Sequence, residues 1–403
     1  MEAYDVLIVG GGAAGFFAAV NAAKQNPKLN IGILERGNSV LSKVKISGGG
    51  RCNVTHAEFI PNVLATHYPR GEKELKGPFH AFMTGDTVAW FESRGIPLKI
   101  EDDGRIFPVS NSAQTIIDCF LDEIQKYGVT LMKNHSVQSI APVENGWQLE
   151  TSKGLFSCQK LLIATGSNPK IWKLLAALGL HIISAVPSLF TFDIDDERIK
   201  DIPGVVAKNV YVEVLGTNLA SDGPLLITHS GLSAPSILKL SAFGAIELAA
   251  LNYCFDVKIN FIQQSEASCM QALLNSKSEL SKKQVRNSTI FNLPKRLWYK
   301  LVEASGISET LRWAEVNKSQ LQALSNQLTA AVFKVHGKST FKEEFVTAGG
   351  IDLKEIDFKT FESKRFKNLF FAGEILNIDG VTGGFNFQNA WTGAYLAAQE
   401  LSK

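Results

Sequence analysis

Residues 4–9, YDVLIV, are almost continuously apolar and rich in β-branched side chains, the pattern of a short strand buried on both faces. Gly10 to Gly12 break the run. AAGFFAAVNAAKQ then has helical composition as far as Asn26-Pro27, where the proline ring disfavours further helix. A second apolar run at 30–35, NIGILE, completes a β-α-β opening. DTVAWFESRGIP at 86–97 predicts a helix with Asp86 as N-cap and an Arg-Gly C-terminus. Residues 101–113 read as a turn and a strand leading into a helix at 112–127. Several short strands follow over 129–166, with turns at Glu144-Asn145-Gly146 and Lys153-Gly154, and the last of them, KLLIATG, again runs into glycine.

From residue 187 the pattern changes. PSLFTFDID, NVYVEVLGT, GPLLITHS and FDVKINFIQ are short strand-like runs bounded by Gly, Pro and Asp, which predicts a small β-domain. Residues 266–330 are polar and helical, and after 345 the strand-and-glycine pattern returns, ending in a helix at 387–401. The expected organisation is one dinucleotide-type domain built from 1–186 and 345–403, an inserted β-domain at 187–265 and 331–344, and a helical subdomain at 266–330.

The glycines after the first strand carry the first chemistry. Gly10, Gly12 and Gly15 form G-x-G-x-x-G between a strand and a helix, with Ala13 and Ala14 opening that helix. Gly10 allows the tight turn, Gly12 lets a pyrophosphate approach the backbone, and Gly15 permits close helix–strand packing. The helix N-terminus offers free N–H groups to phosphate. Glu35 closes the next strand, followed by Arg36, and its carboxylate can accept both ribose hydroxyls; an acidic residue there argues for FAD or NAD over NADP. Two later segments, LLIATG ending in Thr165 and Gly166 and LFFAGE ending in Gly373 and Glu374, give a split layout that resembles FAD-dependent oxidoreductases, which favours FAD.

The 403-residue length predicts two or three domains with a sizeable core. Net charge is +2, too small by itself to imply nucleic acid or an anionic membrane. Lys282, Lys283, Arg286, Lys295, Arg296 and Lys300 cluster loosely, read first as a solvated helical face, so nucleic acid is not the expected partner. Five widely spaced cysteines without CxxC fit reduced thiols, not a disulfide framework or a metal site. The apolar stretch 6–20 follows an acidic MEAYD without Lys or Arg, against a signal peptide. A soluble cytoplasmic protein is the expectation.

Several blocks resemble one bacterial family, the YhiN/BaiN-like NAD(P)/FAD-dependent oxidoreductases: VGGGAAG at 9–15, KISGGGRCNVT at 45–55, GRIFPVSNSA at 104–113, THSGLSAP at 228–235, VTAGGI at 346–351 and FAGEILNIDGVTGGFNFQNAWTGAYLA at 371–397. The resemblance implies an α/β fold: a two-part Rossmann-like FAD-binding domain with an inserted β-barrel-like domain and a helical subdomain. It includes enzymes similar to bile-acid dehydroreductases and others named aminoacetone oxidases. It also implies that Lys45, Ser47, Gly48, Gly49 and Gly50 wrap one side of the FAD, with Arg51, Cys52 and Asn53 following. The chain departs from the family at Ala234, where relatives usually carry glycine, and at Asn377, where they often carry aspartate.

A flavin reductase needs donors near the flavin N1–C2=O end and a proton source. Gly380, Gly383 and Gly384, opening the last helix near Asn386, suit the first requirement, with Phe385 beside them. Arg51 is open to two readings, an anion anchor or a structural arginine tying down the glycines. Cys52 lacks a nearby partner cysteine and reads as a packed side chain. His229 is the leading candidate for the proton donor and Arg105 a candidate for orienting the substrate; His56 and His80 lack a surrounding motif. The expected reaction is hydride transfer to a small organic substrate, by preference to an activated C=C bond. NAD(P)H would bind transiently as donor, since no second G-x-G-x-x-G follows a strand. An amine oxidase or an FAD-dependent RNA-modifying protein are the alternatives.

Overall fold

The computed structural model describes residues 1–339 and 346–403; the expected boundary at 344/345 lies outside them. The chain divides into two compact units, Met1–Val186 with Lys342–Lys403, and Pro187–Phe341.

The first unit is built on a sheet whose core is parallel. Glu2–Val9 lies between Ile31–Leu34 and Gly154–Ile163, Thr130–Met132 pairs beyond Ile31–Leu34, and Leu369–Phe371 pairs beyond Gly154–Ile163. Val6 to Val9 are buried with almost no exposure, as the uninterrupted apolar run requires. Ala13–Gln25 is the crossover helix; ten of its residues are buried, and it packs against Phe385–Leu401. Phe17, on that crossover helix, sits 5.1 Å from the Trp391 ring of the last helix, and Trp90 and Phe82 complete an aromatic layer around it.

Two boundaries differ from the sequence expectation. The helix placed at 86–97 is Thr84–Glu92, and Asp86 is not its N-cap: its carboxylate sits a turn inside and accepts the Met83 N–H at 2.8 Å. The final helix begins at Phe385, because Gly384 (φ +96°) supplies the left-handed entry.

In the second unit, antiparallel pairing runs in the order Ala331–Val335, Phe255–Asn260, Val206–Val214, Ala220–Ile227, Gly231–Ser233, Thr191–Asp193, Gly337–Ser339. The two strands at the ends of this order are consecutive in the chain, joined through His336, so the sheet is rolled upon itself. Glu266–Glu279, Lys295–Ala304 and Lys318–Thr329 supply the helical part, packed through Trp298, Trp313 and Leu324, each with no exposed surface.

Candidate functional site

Register brings four segments from distant parts of the sequence to one edge. Val9 pairs with Leu34 and with Ile163, and Ile163 pairs with Phe371, so the parallel strands end at the same level. Gly10, Glu35, Thr165 and Gly373 therefore emerge side by side at the carboxyl ends of the strands, where open parallel sheets bind ligands. Backbone bonds fix this edge: Gly10 N–H to the Leu34 carbonyl at 2.8 Å and Ala164 N–H to the Val9 carbonyl at 2.8 Å.

The glycines there fall into two groups. A Cβ on Gly10 (φ +115°) would collide with the Ala164 backbone, and one on Gly15 would collide with the Gly10 carbonyl. A Cβ on Gly12 would meet nothing within 4 Å. Gly12 thus leaves open space beside the first turn of the Ala13–Gln25 helix, while Gly10 and Gly15 serve the protein's own packing. Glu35 accepts the Gly11 N–H at 2.9 Å and the Gly37 N–H at 2.7 Å, which orient its half-buried carboxylate. Arg36 beside it is exposed.

KISGGGRCN forms the end of a short helix and a left-handed turn. Ser47 leaves the helical region, and Gly48, Gly49 and Gly50 have φ of +57°, +69° and +83°. Gly48 is glycine because Phe107 would meet a Cβ at 2.8 Å; Gly49 faces open space. The Ser47 hydroxyl donates to the Val44 carbonyl at 2.9 Å, and Lys45 is exposed. Arg51 is engaged within the protein: it pairs with Glu101 at 2.6 Å and lies 3.9 Å over the Phe107 ring. Of the two sequence readings, this geometry fits the arginine that ties down the glycines. Cys52 is fully buried, and burial pushes its thiol up to about 12, so it stays protonated and packs. The adjacent Asn53 is buried with its Oδ1 lacking a partner among the described residues.

The loop before the last helix is held from many sides. Asn386 accepts the Gly380 N–H at 2.8 Å and donates to the Gly380 carbonyl at 3.0 Å. The buried Tyr68 hydroxyl donates to the Phe385 carbonyl at 2.6 Å, and His56 Nδ1 donates to the Gly383 carbonyl at 3.1 Å. Arg70 pairs with the fully buried Asp379. His56 and His67 stack on the Phe385 ring, at 4.6 and 4.2 Å. Gly380 and Gly384 are tight against Tyr68 and Thr55, and Gly383 is close to His56, so these glycines admit neighbouring protein. Glu374 takes Lys43 at 2.5 Å, and a Cβ on Gly166 would lie 3.7 Å from the Glu374 carboxylate.

Tyr68, Arg70, Asp379 and Lys43 were not expected from the sequence. Arg70 and Asp379 lie 309 positions apart, so no local pattern links them. Arg105, expected to orient substrate, is held by Asp103 at 2.7 Å and Glu101 at 3.7 Å on the Arg105–Pro108 strand. His229 belongs to the second unit, exposed in the turn between Ala220–Ile227 and Gly231–Ser233. His80 lies exposed on the Glu72–Ala81 helix.

This edge fits FAD. Gly12 and Gly49 leave open backbone where the pyrophosphate and cofactor body would approach, Glu35 is oriented for ribose hydroxyls, and Asn53 carries an unused buried acceptor. Among the described residues no group of three or more His, Cys, Asp or Glu converges as a metal site, and no helix is long and apolar enough to cross a membrane.

The HI0933-like protein Rossmann domain matches residues 4–400, and the chain belongs to that family, whose Rossmann-type FAD-binding fold is that of flavin-dependent oxidoreductases. It is 29% identical to the ribosomal RNA dihydrouridine synthase of Escherichia coli K12, across 100% of this chain and 98% of that protein. It is 26% identical to the 3-dehydro-bile acid delta(4,6)-reductase of Clostridium scindens, across 98% of each. The solved 3-ketosteroid-delta4-(5alpha)-dehydrogenase of Rhodococcus jostii RHA1 shares the fold, with a TM-score of 0.52 and 12% identity, over 100% of this chain and 97% of that one.

Proposed function

Starting from membership of the HI0933-like family, we propose that this FAD-dependent oxidoreductase reduces a C=C bond conjugated to a carbonyl, with NAD(P)H as external donor. One observation carries the reading: two curated relatives are named for different substrates but for one kind of reaction. Dihydrouridine is uridine whose C5=C6 bond, conjugated to the C4 carbonyl, has gained two hydrogens. A delta(4,6)-reductase of a 3-dehydro bile acid likewise adds two hydrogens across a bond conjugated to the C3 carbonyl. Uracil within RNA is the substrate we favour, since a second RNA-directed relative, from Haemophilus influenzae, matches 98% of the chain at 26% identity. This puts RNA ahead of the small molecule expected from the sequence; a steroid-type enone is the second reading.

FAD, when bound, would supply two-electron hydride chemistry between nicotinamide and substrate. The chain's own residues bind and orient. Glu35, fixed by two backbone donors, is set to accept ribose hydroxyls; Gly12 and Gly49 admit the cofactor without steric conflict. Arg70, Asp379, Tyr68, His56 and Asn386 hold the 379–386 loop rigid. Protonation of the other alkene carbon requires an acid within reach of that carbon.

The test is to mix flavin-loaded protein with NADH or NADPH without oxygen, then add uridine-containing ribosomal RNA or a dienone bile acid. Bleaching of the flavin, recolouring on substrate addition and a two-hydrogen mass gain in one substrate are expected. A flavin that neither nicotinamide bleaches, or that only oxygen recolours, rejects the reading.

A further inference from the structure

Between residues 280 and 302 the chain carries Lys282, Lys283, Arg286, Lys295, Arg296 and Lys300 and no Asp or Glu. With a total of 41 basic and 39 acidic residues, everything outside this stretch is net acidic. Such asymmetry is a footprint of polyanion binding when the cations share one surface.

The fold gathers them. On the Lys295–Ala304 helix, Leu297, Trp298, Leu301 and Val302 are buried, which turns Lys295, Arg296, Tyr299 and Lys300 to the opposite face. The 282–286 segment is pinned against this helix by the Trp298 indole, which donates to the Val285 carbonyl at 3.0 Å. Arg286 lies 4.8 Å over the Tyr299 ring, so the two groups of cations meet at that tyrosine. Lys282, Lys283, Lys295 and Arg296 are exposed. Among the described residues Arg286 is the one of the six that pairs with a carboxylate, Glu309. Arg296 donates to the Asp201 carbonyl at 2.6 Å, which steadies it without neutralising it.

We propose that the surface formed by Lys282, Lys283, Arg286, Lys295, Arg296 and Lys300 around Tyr299 binds the phosphate backbone of the RNA substrate. The inference rests on the RNA reading above. A single small anion needs one cationic contact, whereas several cations along one face, outnumbering Glu303 and Glu309 beside them, match a repeating phosphate chain. Backbone contacts of this kind position a substrate without reading its sequence, leaving base selection to the flavin site.

The experiment uses the flavin-loaded full chain, labelled fragments of bacterial ribosomal RNA, and a salt series. The triple variant Lys282→Glu, Lys283→Glu, Lys295→Glu is compared with wild type and with Lys24→Glu, Lys28→Glu, a charge-reversal control on the first unit. The flavin spectrum and anaerobic reduction by nicotinamide verify folding. The expected result is affinity lower by about tenfold or more in the triple variant, with a slope of log K against log salt shallower by about two to three. An equal loss in the control variant, or none in the triple variant, overturns this surface and leaves the RNA reading standing. Absence of wild-type binding at any salt overturns the RNA reading, and the surface with it.

Discussion

Arg70 forms an ion pair with Asp379, whose side chain has no exposed surface and which directly precedes Gly380 in the loop at the proposed flavin site. The pair anchors that loop to the segment after Tyr68, and Asn386 ties its other side.

Arg70→Leu removes the guanidinium that pairs with the buried Asp379 carboxylate. Loss of a single partner from a buried pair costs about 3–5 kcal/mol. Urea unfolding should register a loss of that order, with flavin released at lower denaturant. Adding Asp379→Asn to Arg70→Leu should recover part of the stability, because the buried charge is gone.

Gly12→Val and Gly10→Ala should separate cofactor contact from packing. A Cβ at Gly12 meets nothing within 4 Å and its φ of −99° is ordinary. The flavin-free protein should therefore keep its unfolding midpoint but fail to take up FAD. Gly10→Ala should lower the midpoint of the flavin-free protein itself, since its Cβ runs into the Ala164 backbone at φ +115°. Equal midpoint losses in both variants would reject the distinction.

Glu35→Ala removes the carboxylate that Gly11 and Gly37 orient. Loss of hydrogen bonds from a charged acceptor, worth about 1.5–3 kcal/mol each, predicts at least about tenfold weaker FAD binding by calorimetric titration of the apoprotein.

Burial raises four thiols: Cys52 and Cys158 to about 12, Cys119 to about 11, and Cys269 above its usual value. In the unfolded chain a thiol titrates near about 8.5. A group raised on folding stabilises below its unfolded pKa, and that contribution is lost as pH climbs towards the folded value. Stability should fall between about pH 8.5 and 11, and Cys119→Ala should flatten the fall. At pH 8 a thiol reagent should quickly titrate the exposed Cys254, with the other four reacting on unfolding. Cys52→Ser should keep flavin bound and reducible; loss of reduction with flavin retained would make Cys52 a redox group.

Ala234 sits at φ +80°, in backbone that favours glycine, the residue its resemblance to the family leads one to expect there. Ala234→Gly should raise stability by about 1 kcal/mol by relieving that strain, read as a higher unfolding midpoint.

Local sequence was enough to determine the dinucleotide-binding start. A strand buried on both faces, a turn that must be glycine and an acid at the next strand end are consecutive features whose physics is local, so YDVLIV, Gly10 to Gly15 and Glu35 announce themselves. The short strands and polar helices of the second unit were legible from turn residues and composition, whereas a barrel-like closure was expected only from the family resemblance. What needed the tertiary structure was the identity of each neighbour. Gly12 and Gly10 look alike in sequence, yet one faces open space and the other the Ala164 carbonyl. Arg51 had two readings until Glu101 and Phe107 took its guanidinium, and the Arg70–Asp379 pair spans 309 positions. A side chain's chemistry is set by its sequence, but its partner is set by packing between segments that the chain order separates, and that packing decided which residues hold the loop and which face open space.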